Sequence, residues 1–180
     1  ACICNSELGA EMKSTRRITF MALMVAYSLI LYFIESMLPS LYFIAPGAKL
    51  GLTNIITLSL LYMTGLGDAF FVLVVRVIMS SIFGGGINAF MYSISGGILS
   101  MIAMFLIKKL NLPGVSMIGV SVVGAVFFNV GQLIVSAMVI RNISIFVYLP
   151  ILMYISLGTG ILVGYTSRYI TGRLKFKNFL

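Results

Sequence analysis

The sequence predicts an all-α integral membrane protein with six transmembrane helices. Of its 180 residues, 61% are hydrophobic and 9% are charged, whereas a soluble domain needs roughly 25% charged residues to cover its surface. The apolar residues form six runs, and most of the cations lie between or beyond them. Both observations are typical of a helical bundle whose outer surface faces lipid, so the bilayer is the first expected partner.

The six runs follow one another with short polar or glycine-rich connections. They cover residues 18–38, 50–64, 69–83, 87–107, 115–140 and 143–167. Four of them have about 20 residues or more, enough to cross roughly 30 Å of hydrocarbon as helices. The second and third have only about 15 residues each, so a re-entrant pair is the alternative for these two.

The runs divide the chain into three parts. We expect 1–17 to be a cytosolic N-terminal tail, within which Met12 is an alternative start that would leave 1–11 as an extension. The six-helix transmembrane domain covers 18–167, and a basic cytosolic C-terminal tail covers 168–180. Asp68 stands just before the third run, where it is expected to cap that helix.

The positions of the cations predict the orientation, because Lys and Arg are enriched in cytoplasmic loops. With both termini in the cytosol, the outer side receives Lys49 and Arg141. The cytosolic side receives Lys13, Arg16, Arg17, Lys108, Lys109, Arg168, Arg173, Lys175 and Lys177. An even number of spans with both ends inside is therefore predicted.

The composition also argues against several functions. The chain has no His, and its four acidic residues are Glu7, Glu11, Glu35 and Asp68. They form neither a metal site nor the aspartate-rich clusters that would hold magnesium diphosphates, and no phosphate-binding loop of the Walker type is present. We expect no catalytic residue, no cofactor and no metal. Nucleic acid is not an expected partner either, because the cations flank apolar runs instead of sharing one folded face.

Polar side chains gather in the outer parts of the predicted spans, and such residues are costly in hydrocarbon. Arg76 lies near the middle of the third run. Together with Lys49 from the first loop, these polar side chains predict a solute site that opens outward, beneath the loops at 39–49 and 84–86. The predicted site residues are Glu35, Lys49, Asn54, Arg76, Asn88, Tyr92, Asn129 and Gln132. The alternatives are that the amides only join helices and that Glu35 pairs with Arg76.

Small residues four apart allow two helices to approach closely. Ala22 and Ala26 form such a pair in the first run, and Gly160 and Gly164 form another in the sixth. These pairs predict either contact with a partner protein or packing within this chain.

One segment carries a family resemblance. The sequence from Pro46 to Leu58, PGAKLGLTNIITL, closely resembles the signature of a family known as Gx transporters or heptaprenyl diphosphate synthase component I. The resemblance extends over about 16–171. That family is similar to the substrate-binding S components of energy-coupling factor transporters, which have six helices, both ends in the cytosol and a solute site near the outer face.

The resemblance implies a solute-binding subunit in the bacterial cytoplasmic membrane, with a transmembrane coupling subunit and ATPase subunits as partners. Ala22 and Ala26 match the alanine motif with which S components dock onto the coupling subunit. Arg76 and Lys49 would suit an anionic or amphipathic small molecule. The alternative is a non-catalytic membrane accessory of polyprenyl diphosphate or menaquinone synthesis.

Overall fold

The computed structural model describes residues 2–37, 49–110 and 115–173, and these residues form helices and no strands. The helices are α1 (Cys2–Met37), α2 (Asn54–Met63), α3 (Leu66–Ser80), α4 (Gly86–Leu110), α5 (Met117–Ile140) and α6 (Leu149–Arg173). A π-helical turn, Ser81–Gly85, joins α3 to α4, and a 3-10 turn, Ile143–Tyr148, precedes α6. The predicted all-α class is therefore confirmed.

Five segments are long and apolar enough to cross a membrane. They are Thr15–Met37, Leu66–Phe83, Gly86–Leu110, Met117–Ile140 and Ser144–Arg173. The protein is thus a multi-pass membrane protein. Helix α2 is the exception, because its ten residues extend about 15 Å, half the hydrocarbon thickness. The second predicted run is therefore only partly helical.

Chain geometry explains why α2 starts late. Residues 49–53 are not helical, and Gly51 has φ +77°, a left-handed conformation that residues with a Cβ rarely adopt. The first turn is closed by the backbone N–H of Asn54, which donates to the Gly51 carbonyl at 2.9 Å. Residues 49–53 consequently enter the bundle as non-helical backbone.

The first and last helices extend beyond the apolar runs toward the chain ends. Helix α1 begins at Cys2, so the segment predicted as an N-terminal tail is helical, and α6 continues to Arg173. The rest of the predicted C-terminal tail lies outside the described residues. Asp68 does not cap α3: the cap residue is Gly65, without a side-chain hydrogen bond. The Asp68 carboxylate instead accepts a hydrogen bond from Arg17 Nη2 at 2.5 Å, which joins α1 to α3.

Helices α4, α5 and α6 pack backbone against backbone. A Cβ added to Gly131 of α5 would lie 2.9 Å from the Gly96 Cα of α4. Added to Gly160 and Gly164 of α6, it would lie 2.6 and 2.7 Å from Cα atoms of α5. The glycine pair of the sixth run therefore serves packing within the chain.

Candidate functional site

A small polar pocket lies among α1, α3, α4, α5 and the non-helical segment before α2. Its volume of about 10 Å³ is close to the least that holds one water molecule. The sequence predicted a cavity that opens outward, and the space left among the described side chains at this place is small. Its lining residues are Tyr32, Glu35, Lys49, Thr53, Arg76, Val77, Ser80, Ser93 and Phe128.

Two buried side chains hold the non-helical segment in place. Glu35 Oε1 accepts a hydrogen bond from the backbone N–H of Gly51 at 2.6 Å, and Gln132 Oε1 accepts one from the backbone N–H of Lys49 at 3.0 Å. Buried non-helical backbone must find such partners within the protein, because an unpaired N–H in an apolar interior is costly. Glu35 and Gln132 therefore act as caps for the chain that leads into α2.

The charges around the pocket are unequal, with two cations facing one carboxylate. Arg76 is 4% exposed, and no ion pair within 4.0 Å joins it to Glu35 in the part of the chain that the structure describes. Lys49 Nζ lies 4.1 Å from the centroid of the Tyr32 ring, a cation–π geometry. Burial lowers the pKa of Lys49 to about 8. The excess of positive charge favours an anionic ligand.

Several buried polar atoms at or beside the pocket have no hydrogen-bond partner among the described residues. They are Lys49 Nζ, Asn54 Oδ1, Arg76 Nε and Gln132 Nε2. A buried polar atom left unpaired costs roughly 1–3 kcal/mol, so native proteins rarely keep such atoms together without a reason. A bound molecule with acceptor atoms would satisfy the two cations.

The other predicted site residues lie elsewhere. Asn129 Nδ2 donates to Ser156 Oγ at 2.6 Å, so it joins α5 to α6. Asn88 is exposed at the start of α4, and Tyr92 is buried but does not line the pocket. Most of the predicted lid at 39–49 lies outside the described residues, and 84–86 belongs to the helical junction of α3 and α4.

An apolar groove of about 600 Å³ separates α1 from α3 near the Arg17–Asp68 pair. Its walls include Met21, Ala22 and Phe71. Ala26 is exposed on the same helix but does not line this groove. The two alanines of the first run therefore stand in different surroundings.

A family model described as heptaprenyl diphosphate synthase component I matches residues 24–170. The chain belongs to this family. The match includes every residue that lines the polar pocket, whereas Ala22 and Arg17 precede it. No curated protein and no solved structure matches the chain with significance.

Six residues that line the pocket were not among the predicted site residues: Tyr32, Thr53, Val77, Ser80, Ser93 and Phe128. Helical spacing carried a signal for two of them, because residues three or four apart share a helix face. Tyr32 lies three residues before Glu35, and Ser80 lies four after Arg76. Among the described residues there is no group of His, Cys, Asp and Glu side chains that could hold a metal ion.

Proposed function

We propose that this protein is a solute-binding membrane subunit of an energy-coupling factor type importer. The observation that carries the proposal is the buried pocket in which Lys49 and Arg76 face a single carboxylate, Glu35. Non-helical backbone beside a buried polar site is typical of transporter binding sites. The solute would be a small anionic or amphipathic molecule whose acid group contacts the two cations.

In this proposal the small pocket corresponds to a closed state of the site. With room for about one water molecule, the site must widen before a solute enters. The movable wall in this proposal is residues 49–53, which two side-chain hydrogen bonds hold. Solute binding would exchange those bonds for contacts with the ligand.

The proposal includes an orientation and a set of partners. All six helices enter the membrane, α2 only partway, and both termini face the cytosol, which the distribution of cations supports. The chain's role is to bind the solute, with energy supplied by separate ATPase subunits. The coupling subunit would dock on the groove between α1 and α3, where Ala22 permits close helix contact.

The test begins with ligand that stays bound through purification. Mass spectrometry should find an acidic small molecule with the wild-type protein and with the matched control Arg141→Met, whose arginine is exposed. Arg76→Met should lose it, because one charge-assisted hydrogen bond contributes about 1.5–3 kcal/mol. Equal ligand content in a folded Arg76→Met variant would contradict the proposal.

The family description favours a second function, a membrane accessory of a heptaprenyl diphosphate synthase. Such a role needs a soluble catalytic partner, since the chain lacks aspartate-rich diphosphate sites. Co-purification separates the two candidates. Nucleotide-binding subunits in the complex would support the importer, and a soluble prenyl synthase would support the accessory.

A further inference from the structure

A second cavity, separate from the polar pocket, lies against the last turns of α6, at the end of the bundle opposite Arg141. An apolar groove of about 600 Å³ runs between α1, α2 and α6, with walls that include Leu23, Leu31, Ile55 and Ile170. The groove does not share a lining residue with the polar pocket.

The groove has the length of one lipid chain. Along α1 its wall extends from Phe20 to Leu31, about 16 Å at 1.5 Å per residue. The hydrocarbon of one leaflet is about 15 Å thick, half of the whole core. A single acyl chain lying along α1 would therefore cover the groove from end to end.

A basic pocket adjoins one end of the groove. Its volume is about 320 Å³, and it is lined by Tyr165, Arg168, Tyr169, Gly172 and Arg173. Tyr169 and Arg173 line both features, so the two are continuous. The Arg173 guanidinium lies 5.3 Å from the centre of the Tyr169 ring, which orients its charge at the junction.

This combination has the chemistry of an anionic lipid: a chain-length apolar groove that ends in two arginines and two tyrosines. Clusters of basic residues at the end of a transmembrane helix attract acidic lipid headgroups, and tyrosines are enriched at the membrane interface. Among the side chains that the structure describes, no acidic one lines either feature. We propose that one anionic phospholipid binds here, with an acyl chain in the groove and its phosphate between Arg168 and Arg173.

The headgroup half of the proposal is tested with the full chain in nanodiscs of equimolar phosphatidylglycerol and phosphatidylcholine. After transfer to mild detergent, native mass spectrometry should show one retained phosphatidylglycerol. The double variant Arg168→Gln, Arg173→Gln should lower the occupancy of phosphatidylglycerol about 25-fold. Each basic residue near the membrane surface contributes roughly fivefold to the affinity for an anionic lipid. Lys109→Gln with Arg141→Gln makes the same change in net charge and should leave occupancy unchanged. Equal loss in both pairs, or equal retention of phosphatidylcholine, would overturn the proposal.

Binding of the acyl chain in the groove is tested with a different variant. Ile30 lines the groove and is 53% exposed, whereas Ile34 lies one turn away with 48% exposure and does not line it. Ile30→Trp should fill the groove and reduce retained phosphatidylglycerol at least tenfold, and Ile34→Trp should not. The proposal is refuted if inorganic diphosphate alone displaces the lipid, or if the two tryptophan variants behave identically. Either result would show that the basic pocket binds an anion but that the groove does not bind an acyl chain.

Discussion

Replacement of Glu35 measures how much the non-helical segment depends on its buried cap. The carboxylate is 7% exposed and accepts the Gly51 N–H at 2.6 Å. Glu35→Ala removes the acceptor and leaves that N–H unpaired inside the bundle. Glu35→Gln keeps an oxygen acceptor and removes only the charge. Comparison of the two variants separates the hydrogen bond from the electrostatic contribution.

The expected magnitudes follow from the chemistry of that contact. A hydrogen bond to a charged group contributes about 1.5–3 kcal/mol, so Glu35→Ala should lower the free energy of unfolding by at least about 1.5 kcal/mol. A neutral acceptor bonds roughly half as strongly, so Glu35→Gln should cost about 1 kcal/mol. Ser36→Ala is the matched control, because Ser36 is exposed and its hydroxyl donates, among the described residues, to the Phe33 carbonyl within α1. Its effect should stay within about 0.5 kcal/mol.

The assay is reversible unfolding in mixed micelles, followed by circular dichroism as denaturing detergent is added. A double-mutant cycle of Glu35→Gln with Arg76→Met then measures the coupling of the two charges. If the carboxylate compensates Arg76 across the pocket, the double variant should recover at least about 1 kcal/mol relative to the sum of the single changes. A Glu35→Ala protein as stable as the Ser36→Ala control would refute the role of Glu35 as a cap.

Three further predictions address docking, topology and pH. Ala22→Leu should abolish assembly with a coupling subunit in pull-down, whereas Ala26→Leu should be tolerated, because only Ala22 lines the groove between α1 and α3; equal effects would contradict this. A cysteine at Arg141 should react with an impermeant reagent from outside, and one at Lys109 should not; labelling of the latter would overturn the orientation. Burial lowers the pKa of Lys49 to about 8, so affinity for an anionic ligand should fall above about pH 8. Between about pH 8 and pH 10.5, Lys49 is protonated in the unfolded chain but not in the folded one, so its contribution to stability should rise with pH. A ligand affinity that does not change with pH would exclude Lys49 from the site.

The apolar runs predicted most of the fold because lipid imposes a simple rule on length and polarity. The late start of α2 was not predictable in the same way. It depends on the positive φ of Gly51 and on side chains far away in sequence, Glu35 and Gln132, that accept its neighbouring N–H groups. Hydropathy contains no information about such long-range partners.

The site residues that could be predicted from the sequence were the charged ones, because a charged side chain in an apolar run is costly unless it has a partner or a ligand. Arg76, Glu35 and Lys49 were predicted site residues and line one pocket. Asn129 belonged to the same prediction, yet its partner is Ser156 on α6. An amide satisfies itself with any nearby hydroxyl, and sequence spacing does not reveal which helix supplies one.

The glycine contacts among α4, α5 and α6 have a mechanical consequence. With a Gly131 Cβ position only 2.9 Å from the Gly96 Cα, these helices have no room to slide past each other without first separating. Helix α1 is different, since its membrane segment, Thr15–Met37, contains no glycine. Elastic deformation of the bundle should therefore concentrate in α1 and in residues 49–53, and the three glycine-packed helices should act as the fixed frame against which those parts move.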